Sequence, residues 1–459
     1  MRVAIVAESF LPNVNGVVNS VLRVLEHLRA NGHEALVIAP GAKKGQEEIA
    51  TYEGFRIARV PAVDVPGINS LPIGVPMPSV YTELKKFQPD VVHLASPFVL
   101  GGAGAFAAKA LKLPCVAIFQ TDVAGFANSY KMEFMSKLAW HWVRIMHNMC
   151  AMTLAPSSVT MRELEDNKVR GVAHWGRGVD TVRFNPSKRS AELRREWLLA
   201  GEEKRGNAVR AGEGDALTAE LESRRKIIGY VGRLAAEKSV ERMAALNGRE
   251  DVQLVIVGDG PEKDELQALM PTAVFTGGLY GEDLAHAFAS LDIFVHTGQF
   301  ETFCQAIQEA QASRVATIGP AAGGPIDLIK PGHNGFLLNV DTFEAELVDA
   351  VDAILAGGVD SYRDNAFEGV QNKSWSSLCD QLLGYYRQAI AQGGKAAPRT
   401  NSQRDFTGVR EAARPAADEG AAAGTAASSA ADSTESAHSA EPAAPAAESA
   451  ASAAESAVR

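Results

Sequence analysis

The chain has 459 residues, 46% hydrophobic and 22% charged, enough apolar material for two or three packed cores. Its formal net charge of −10 speaks against bulk nucleic-acid binding, and no apolar run reaches the roughly 18 residues of a membrane span. The four cysteines, Cys115, Cys150, Cys304 and Cys379, are scattered without a CxxC pair, which disfavours both a zinc knuckle and a disulfide framework.

The opening "MRVAIVAESF" reads as a first β-strand rather than a signal peptide and points to a cytoplasmic protein. A turn with Pro12, Asn13, Asn15 and Gly16 follows. Val18, Val21, Leu22, Leu25 and Leu28 then have helical spacing, Gly32 stops the helix, and "ALVIAP" is a second strand. This β-loop-α-β unit predicts a parallel sheet with crossover helices. "DVVHLAS" (90–96) and "PCVAIFQ" (114–120) supply further strands. The stretch 129–150 mixes Lys131, Lys137, Trp140, Trp142 and Arg144, and suits either an interfacial helix or one partly buried in the domain. Trp140 and Trp142 stand two apart, so no single helix face centres both.

A second strand set comprises "KIIGYVGRL" (226–234), "VQLVIVGDG" (252–260), "AVFTGG" (273–278), "DIFVHTG" (292–298) and "VATIGP" (315–320). The chain is therefore α/β, with two Rossmann-like domains, 1–178 and 179–373. The polar stretch 199–225 reads as an inserted surface segment, and 374–394 as a terminal helix. Residues 395–459 are rich in Ala, Ser, Glu and Pro and read as a disordered tail. The last 49 residues carry eight acidic and two basic side chains, so most of the net charge lies there.

Two such domains suggest a nucleotide, but the dinucleotide glycine fingerprint is missing after the first strand. Gly102, Gly104 and Ala107 match it only out of place, and read as small residues for close helix packing. This disfavours a nicotinamide oxidoreductase. Arg233 and Lys238, just after the strand "IIGYVG", suit a diphosphate, or else form a solvated surface pair. Glu301 and Glu309 stand eight apart around a predicted helix start, which would place them roughly on one side of it. They could accept hydrogen bonds from sugar and ribose hydroxyls, while the amides of Phe303, Cys304 and Gln305 face a phosphate or a sugar hydroxyl. Alternatively, they are a helix-dipole glutamate and an ordinary helix-face glutamate.

With these residues in view, the chain resembles the retaining family 4 glycosyltransferases of GT-B architecture, in which two Rossmann-like domains face each other across a cleft. Four segments carry the resemblance: "FLPNVNGVVNSVLRVLEHLRANGHEALVIAP", "GRGVDTVRFNP", "GYVGRLAAEKSVE" and "ETFCQAIQE". "VVHLASP", "QTDVAGFA", "TLAPS", "ETFCQAIQEA" and "GGPIDLI" look like the GDP-mannose-dependent α-mannosyltransferases of actinobacterial glycolipid and lipomannan synthesis. The resemblance covers roughly residues 1–390, apart from 199–225.

What the resemblance implies can be stated residue by residue. Arg233 and Lys238 neutralise the donor diphosphate. Glu301 holds hexose hydroxyls and Glu309 the ribose. Phe303, Cys304 and Gln305 offer backbone amides, Gly16 lets backbone approach the diphosphate, and Leu279 sits where backbone reads the base. Gln120 stands where many relatives have a histidine near the reaction centre, and Asp122 positions the acceptor or caps a loop. Cys304 stands where many relatives have glycine, so it is not read as a nucleophile.

The implied reaction transfers mannose with retention from GDP-mannose to a lipid or glycolipid hydroxyl, at the cytoplasmic face of the membrane. No Asp-x-Asp pair occurs in the chain, and two cations can take a metal's place, so no metal and no cofactor are expected. The terminal helix would cross back to the first domain. The alternatives are a UDP-glucose, UDP-glucuronate or UDP-sulfoquinovose lipid transferase, a GT-B-like epimerase and a non-catalytic binding module.

Overall fold

The computed structural model describes residues 1–393 apart from 14, 43–46, 64–72, 75–77, 97–98, 121–132 and 208–213. The expected tail, 395–459, lies outside the described residues, as does Asp122. Residue 394 does too, so the expected terminal segment is described to 393.

The first sheet is built from Arg2–Val6 (β1), Glu34–Pro40 (β2), Thr51–Tyr52 (β3), Phe55–Val60 (β4), Val91–Leu94 (β5), Cys115–Ile118 (β6), Met152–Ala155 (β7) and Val172–His174 (β8). Their order is β8-β7-β6-β5-β1-β2-β4-β3, and only the short β3–β4 pair is antiparallel. The second sheet contains Lys226–Val231 (β9), Val252–Val257 (β10), Val274–Gly277 (β11), Ile293–Val295 (β12), Ala316–Pro320 (β13) and Gly335–Leu338 (β14). Its order is β11-β10-β9-β12-β13-β14, all parallel. Strands such as "AIV" in β1 and "VQLVIV" in β10 are buried along their length. Helices cover both faces of such sheets, which is why they read as continuous apolar runs.

Helix α1 (Gly16–Ala30) buries Val18, Val21, Val24, Leu25 and Leu28. Leu22, expected on that face, is only partly buried and Val24 takes its place. Helix α2 (Val99–Leu111) contains the misplaced glycine motif. A Cβ at Gly102 would lie 2.5 Å from the Trp142 ring, and one at Gly104 would lie 2.8 Å from Leu94. These glycines admit neighbouring side chains, as the small-residue reading expects. Helix α3 (Glu133–His147) is two-sided. Trp140 stacks on Phe119 at 6.0 Å between centroids, while Leu138, Trp142 and Ile145 are exposed.

The stretch 199–225 corrects the expectation of a surface insertion. Helices α4 (Ala191–Lys204) and α5 (Gly214–Arg224) occupy most of it. Within it Gly201, Glu202, Gly214, Leu221 and Arg225 are buried. Three of its charges pair inward, Arg225 with the Glu202 carboxylate and Arg205 Nη1 with Gln253 Oε1 at 2.6 Å, while Glu203, Lys204, Asp215, Glu220 and Arg224 are exposed. The polar composition therefore marks two helices with one packed face and one solvated face, not a loop.

Helix α6 (Gln305–Ala312) follows β12, and α7 (Trp375–Ala391) ends the described chain. Although α7 follows the second domain in sequence, its Leu378, Leu382, Leu383 and Tyr386 share a core with Val3 and Ile5 of β1 and Val21 and Leu25 of α1. Trp175 Nε1 donates to Leu378 O at 2.8 Å.

Candidate active site

In an open parallel sheet, ligands bind at the carboxyl ends of the strands where the strand order reverses. In the second sheet that point lies between β9 and β12. The loop after β9 carries Arg233, and a short 3-10 turn at Ala236–Lys238 brings in the lysine. The loop after β12 carries His296 and Glu301. Lys238 Nζ forms an ion pair with the Glu301 carboxylate, and Thr297 Oγ1 donates to Lys238 O at 2.6 Å. Both partners are about a quarter exposed (27% and 21%), so a ligand can reach them. The Arg233 side chain is 66% exposed and, among the described residues, its ion pair is with Glu237, at 3.4 Å. A contact of that kind holds a side chain weakly and leaves its donors to a ligand.

Residues 301–304 are not helical. Gly324 N donates to Glu301 O at 2.7 Å, and a Cβ on Gly324 would lie 2.2 Å from Phe303 O. The turn is thus held by direct backbone packing. Cys304 caps α6 in the left-handed region, at φ 72° and ψ 76°. That conformation is costly for a side-chain-bearing residue and clusters at functional sites. Burial pushes the Cys304 thiol well above its ordinary value, which agrees with a packing role and not a nucleophilic one. Gln305 Nε2 donates to Gly178 O at 3.0 Å and ties the helix start to the interdomain segment.

Since α6 begins only at Gln305, Glu309 sits one turn into the helix and not two turns beyond Glu301. Both glutamates act on the Cys304 thiol, but their other charged neighbours differ. Glu301 meets Lys238 and His296, whereas Glu309 feels Arg183 and Asp180. Burial raises the Glu309 carboxyl from 4.5 to about 8, Arg183 opposing and Asp180 reinforcing. The folded state therefore holds this proton more tightly than the unfolded chain. The stability it contributes is present below about pH 4.5 and is lost as pH rises through about 8. In thermal melts, Glu309→Gln should gain on the wild type as pH rises from about 5 to about 8.5; an unchanged difference would refute the shift.

On the first-domain side, Gly16 opens α1, whose cap Asn15 accepts from Val17 N and Val18 N at 3.0 Å each. Gln120 is buried at the end of β6, with Nε2 3.4 Å from Ala95 O. Leu279 is partly buried against the second domain's core, after the left-handed Gly277 (φ 77°).

Three residues escaped the sequence reading. Arg177, inside the quoted "GRGVD", donates from Nη2 to Gln120 Oε1 at 3.3 Å. His296 is buried, with Nε2 3.7 Å from Glu301 Oε1. Burial lowers its pKa to about 4 against the pull of Glu301, so it is neutral at pH 7. Glu8, at the end of β1, accepts from Gly101 N at 2.7 Å, and burial raises it to about 7. The available signal was position: each is a charged or titratable residue just beyond the carboxyl end of a strand.

Comparison with known proteins adds family and relatives. Residues 14–183 match the family model "Glycosyltransferase Family 4", and residues 218–368 match "Glycosyl transferases group 1". A Corynebacterium glutamicum protein named GDP-mannose-dependent alpha-mannosyltransferase is 57% identical, across 85% of this chain and 90% of its own length. A Mycolicibacterium smegmatis protein of the same name is 50% identical, across 85% and 98%. The crystal structure of Anabaena Alr3699/HepE in complex with UDP superposes with a TM-score of 0.64 at 15% identity, covering 84% of this chain and all of that one, a likeness of fold. With two Rossmann-like domains, both family models matched in order and close relatives over most of its length, the chain belongs to glycosyltransferase family 4.

Proposed function

We propose that the protein is a retaining, metal-independent transferase that moves mannose from GDP-mannose to a lipid-borne hydroxyl. The observation that carries this reading is the Lys238–Glu301 ion pair at the second sheet's switch point, with the open guanidinium of Arg233 on the loop before it. When the C1–oxygen bond of the donor breaks, negative charge gathers on the departing diphosphate. Arg233, Lys238 and the amides at the start of α6 stabilise that charge where it develops. The acceptor oxygen bonds to C1 from the same face and its proton passes to the leaving oxygen, so no strong protein base is needed. Glu301 holds mannose hydroxyls and Glu309 the ribose. The two cations do the work for which other transferases recruit a divalent metal. The donor assignment follows the names of the two bacterial relatives.

A lipid acceptor is supported by the outer face of the first domain. Phe106 is 50% exposed and Leu138 53%, with Trp142 and Ile145 beside them and Lys137 and Arg144 on the same helix. An apolar stripe flanked by cations suits the surface of an anionic bilayer. No helix among the described residues is long and apolar enough to cross a membrane, so the proposed contact is peripheral.

The test incubates purified protein with a mixed membrane lipid extract, EDTA and labelled GDP-mannose, with UDP-glucose and UDP-glucuronate in parallel. Organic-soluble label from GDP-mannose alone, unaffected by EDTA, is expected. Label from a UDP sugar alone would overturn the donor, sensitivity to EDTA the metal independence, and water-soluble product alone the lipid acceptor.

A further inference from the structure

Arg177 has no part in the reaction as described so far, and its surroundings ask for a ligand. The backbone around it is fixed. Val179 N donates to Lys373 O at 2.8 Å, and a Cβ on Gly178 would lie 2.5 Å from Trp375 Cα. The guanidinium is thus aimed by rigid neighbours. Nη2 donates to Gln120 Oε1, and Nη1 lies where a Cβ on Gly16 would come within 2.9 Å of it. The glycine at the start of α1 therefore makes room for this arginine. Nε is buried with no hydrogen-bond partner, and no carboxylate among the described residues forms an ion pair with Arg177. The acid it feels is Glu301, already paired with Lys238.

A packed cation without a counter-ion is costly, and arginine does not escape by losing its proton. Here the positive N-terminal end of α1 adds to the same potential. Gln120 fits this arrangement. An amide oxygen accepts from the guanidinium and leaves its charge intact, whereas a carboxylate would neutralise it. Burial does lower the arginine's pKa, with Glu301 opposing, which is the direction expected of a cation short of partners.

We propose that Arg177 is a third cation for the donor's diphosphate, delivered from the interdomain segment and held in place by Gln120. It would meet the phosphates from the side of Gly16, while Arg233 and Lys238 meet them from the second domain. This rests on the donor reading above, and the experiment separates the two.

GDP, UDP and inorganic pyrophosphate are titrated calorimetrically into the full-length wild type, Arg177→Met, Arg177→Lys and Gln120→Glu, with thermal melts confirming the fold. Arg177→Met is expected to weaken nucleoside diphosphate and pyrophosphate binding by about tenfold or more, and Arg177→Lys by less. Gln120→Glu keeps Arg177 in place but cancels its charge, and should weaken binding as Arg177→Met does. If the arginine merely braces the fold, Gln120→Glu strengthens the brace and binding stays at the wild-type level, which overturns the proposal. An Arg177→Met protein that binds GDP normally but shows a raised acceptor KM also overturns it, by moving the arginine to the acceptor. If the wild type binds UDP and not GDP, the donor reading falls, and the same variants read with UDP still decide the role of Arg177.

Discussion

Lys238→Ala should lower the rate of mannose transfer by about 10²–10³-fold or more while leaving the melting temperature close to wild type. The two halves of this expectation have separate causes. Lys238 and Glu301 are each partly exposed, so their ion pair contributes little to folding. In the proposed reaction, the ammonium would face the charge that builds on the departing diphosphate, where its worth is greatest. Its removal also leaves Glu301 beside a neutral imidazole, His296, without the cation that pairs with its carboxylate. Glu301→Gln should fail for the complementary reason, since an amide offers one accepting oxygen instead of two and carries no charge. Because the two residues act as a unit, the double variant should lose little more than either single one. Single-turnover transfer with saturating donor is the measurement. Wild-type turnover in Lys238→Ala would remove the lysine from the mechanism.

The parts legible in the sequence were those with a local cause. Buried parallel strands announce themselves as apolar runs, and the residues after β9 and β12 stood out because charge rarely follows such runs without purpose. Arg233, Lys238 and Glu301 stand out in this way, and the structure places them on neighbouring loops at the second sheet's switch point. Glu309 stands out too, but the helix that carries it is shorter than the spacing predicts. The helical register was carried back through residues 301–304, whereas Gly323 and Gly324 pack against that turn and Cys304 breaks the register with a positive φ. Arg177 was hidden inside a motif that reads as a linker. Its partners Gly16 and Gln120 lie 161 and 57 positions away, and local spacing carries no signal for contacts of that range. The stretch 199–225 misled for a related reason. Glu202, Arg205 and Arg225 look solvated until their partners, each on another element or across the segment, are in place.

Leu382→Ala, far from the cleft, should cost about 2–5 kcal/mol of stability. Leu382 is 1% exposed and sits in the core formed by α7, α1 and the first sheet. Among the described residues, none of 179–373 belongs to that core, so the loss should fall on the first domain. Tyr386, one turn further along α7, fixes the helix to β5: its hydroxyl lies 2.6 Å from His93 Nδ1, in surroundings that lower the imidazole to about 3 and keep it neutral. A rigid α7 therefore holds the segment after the second domain against the first domain, and a cavity at Leu382 should loosen that attachment as well as the core. Calorimetric melting should move to lower temperature by several degrees, and if the domains melt separately, the transition assigned to the first domain should move. A shift confined to the second domain's transition would mean that α7 does not stabilise the sheet it packs on. Donor affinity provides the link to function. If α7 sets how the two domains meet, GDP binding should weaken in Leu382→Ala at a temperature where both cores are still folded, whereas unchanged binding would confine the helix to a purely local role in stability.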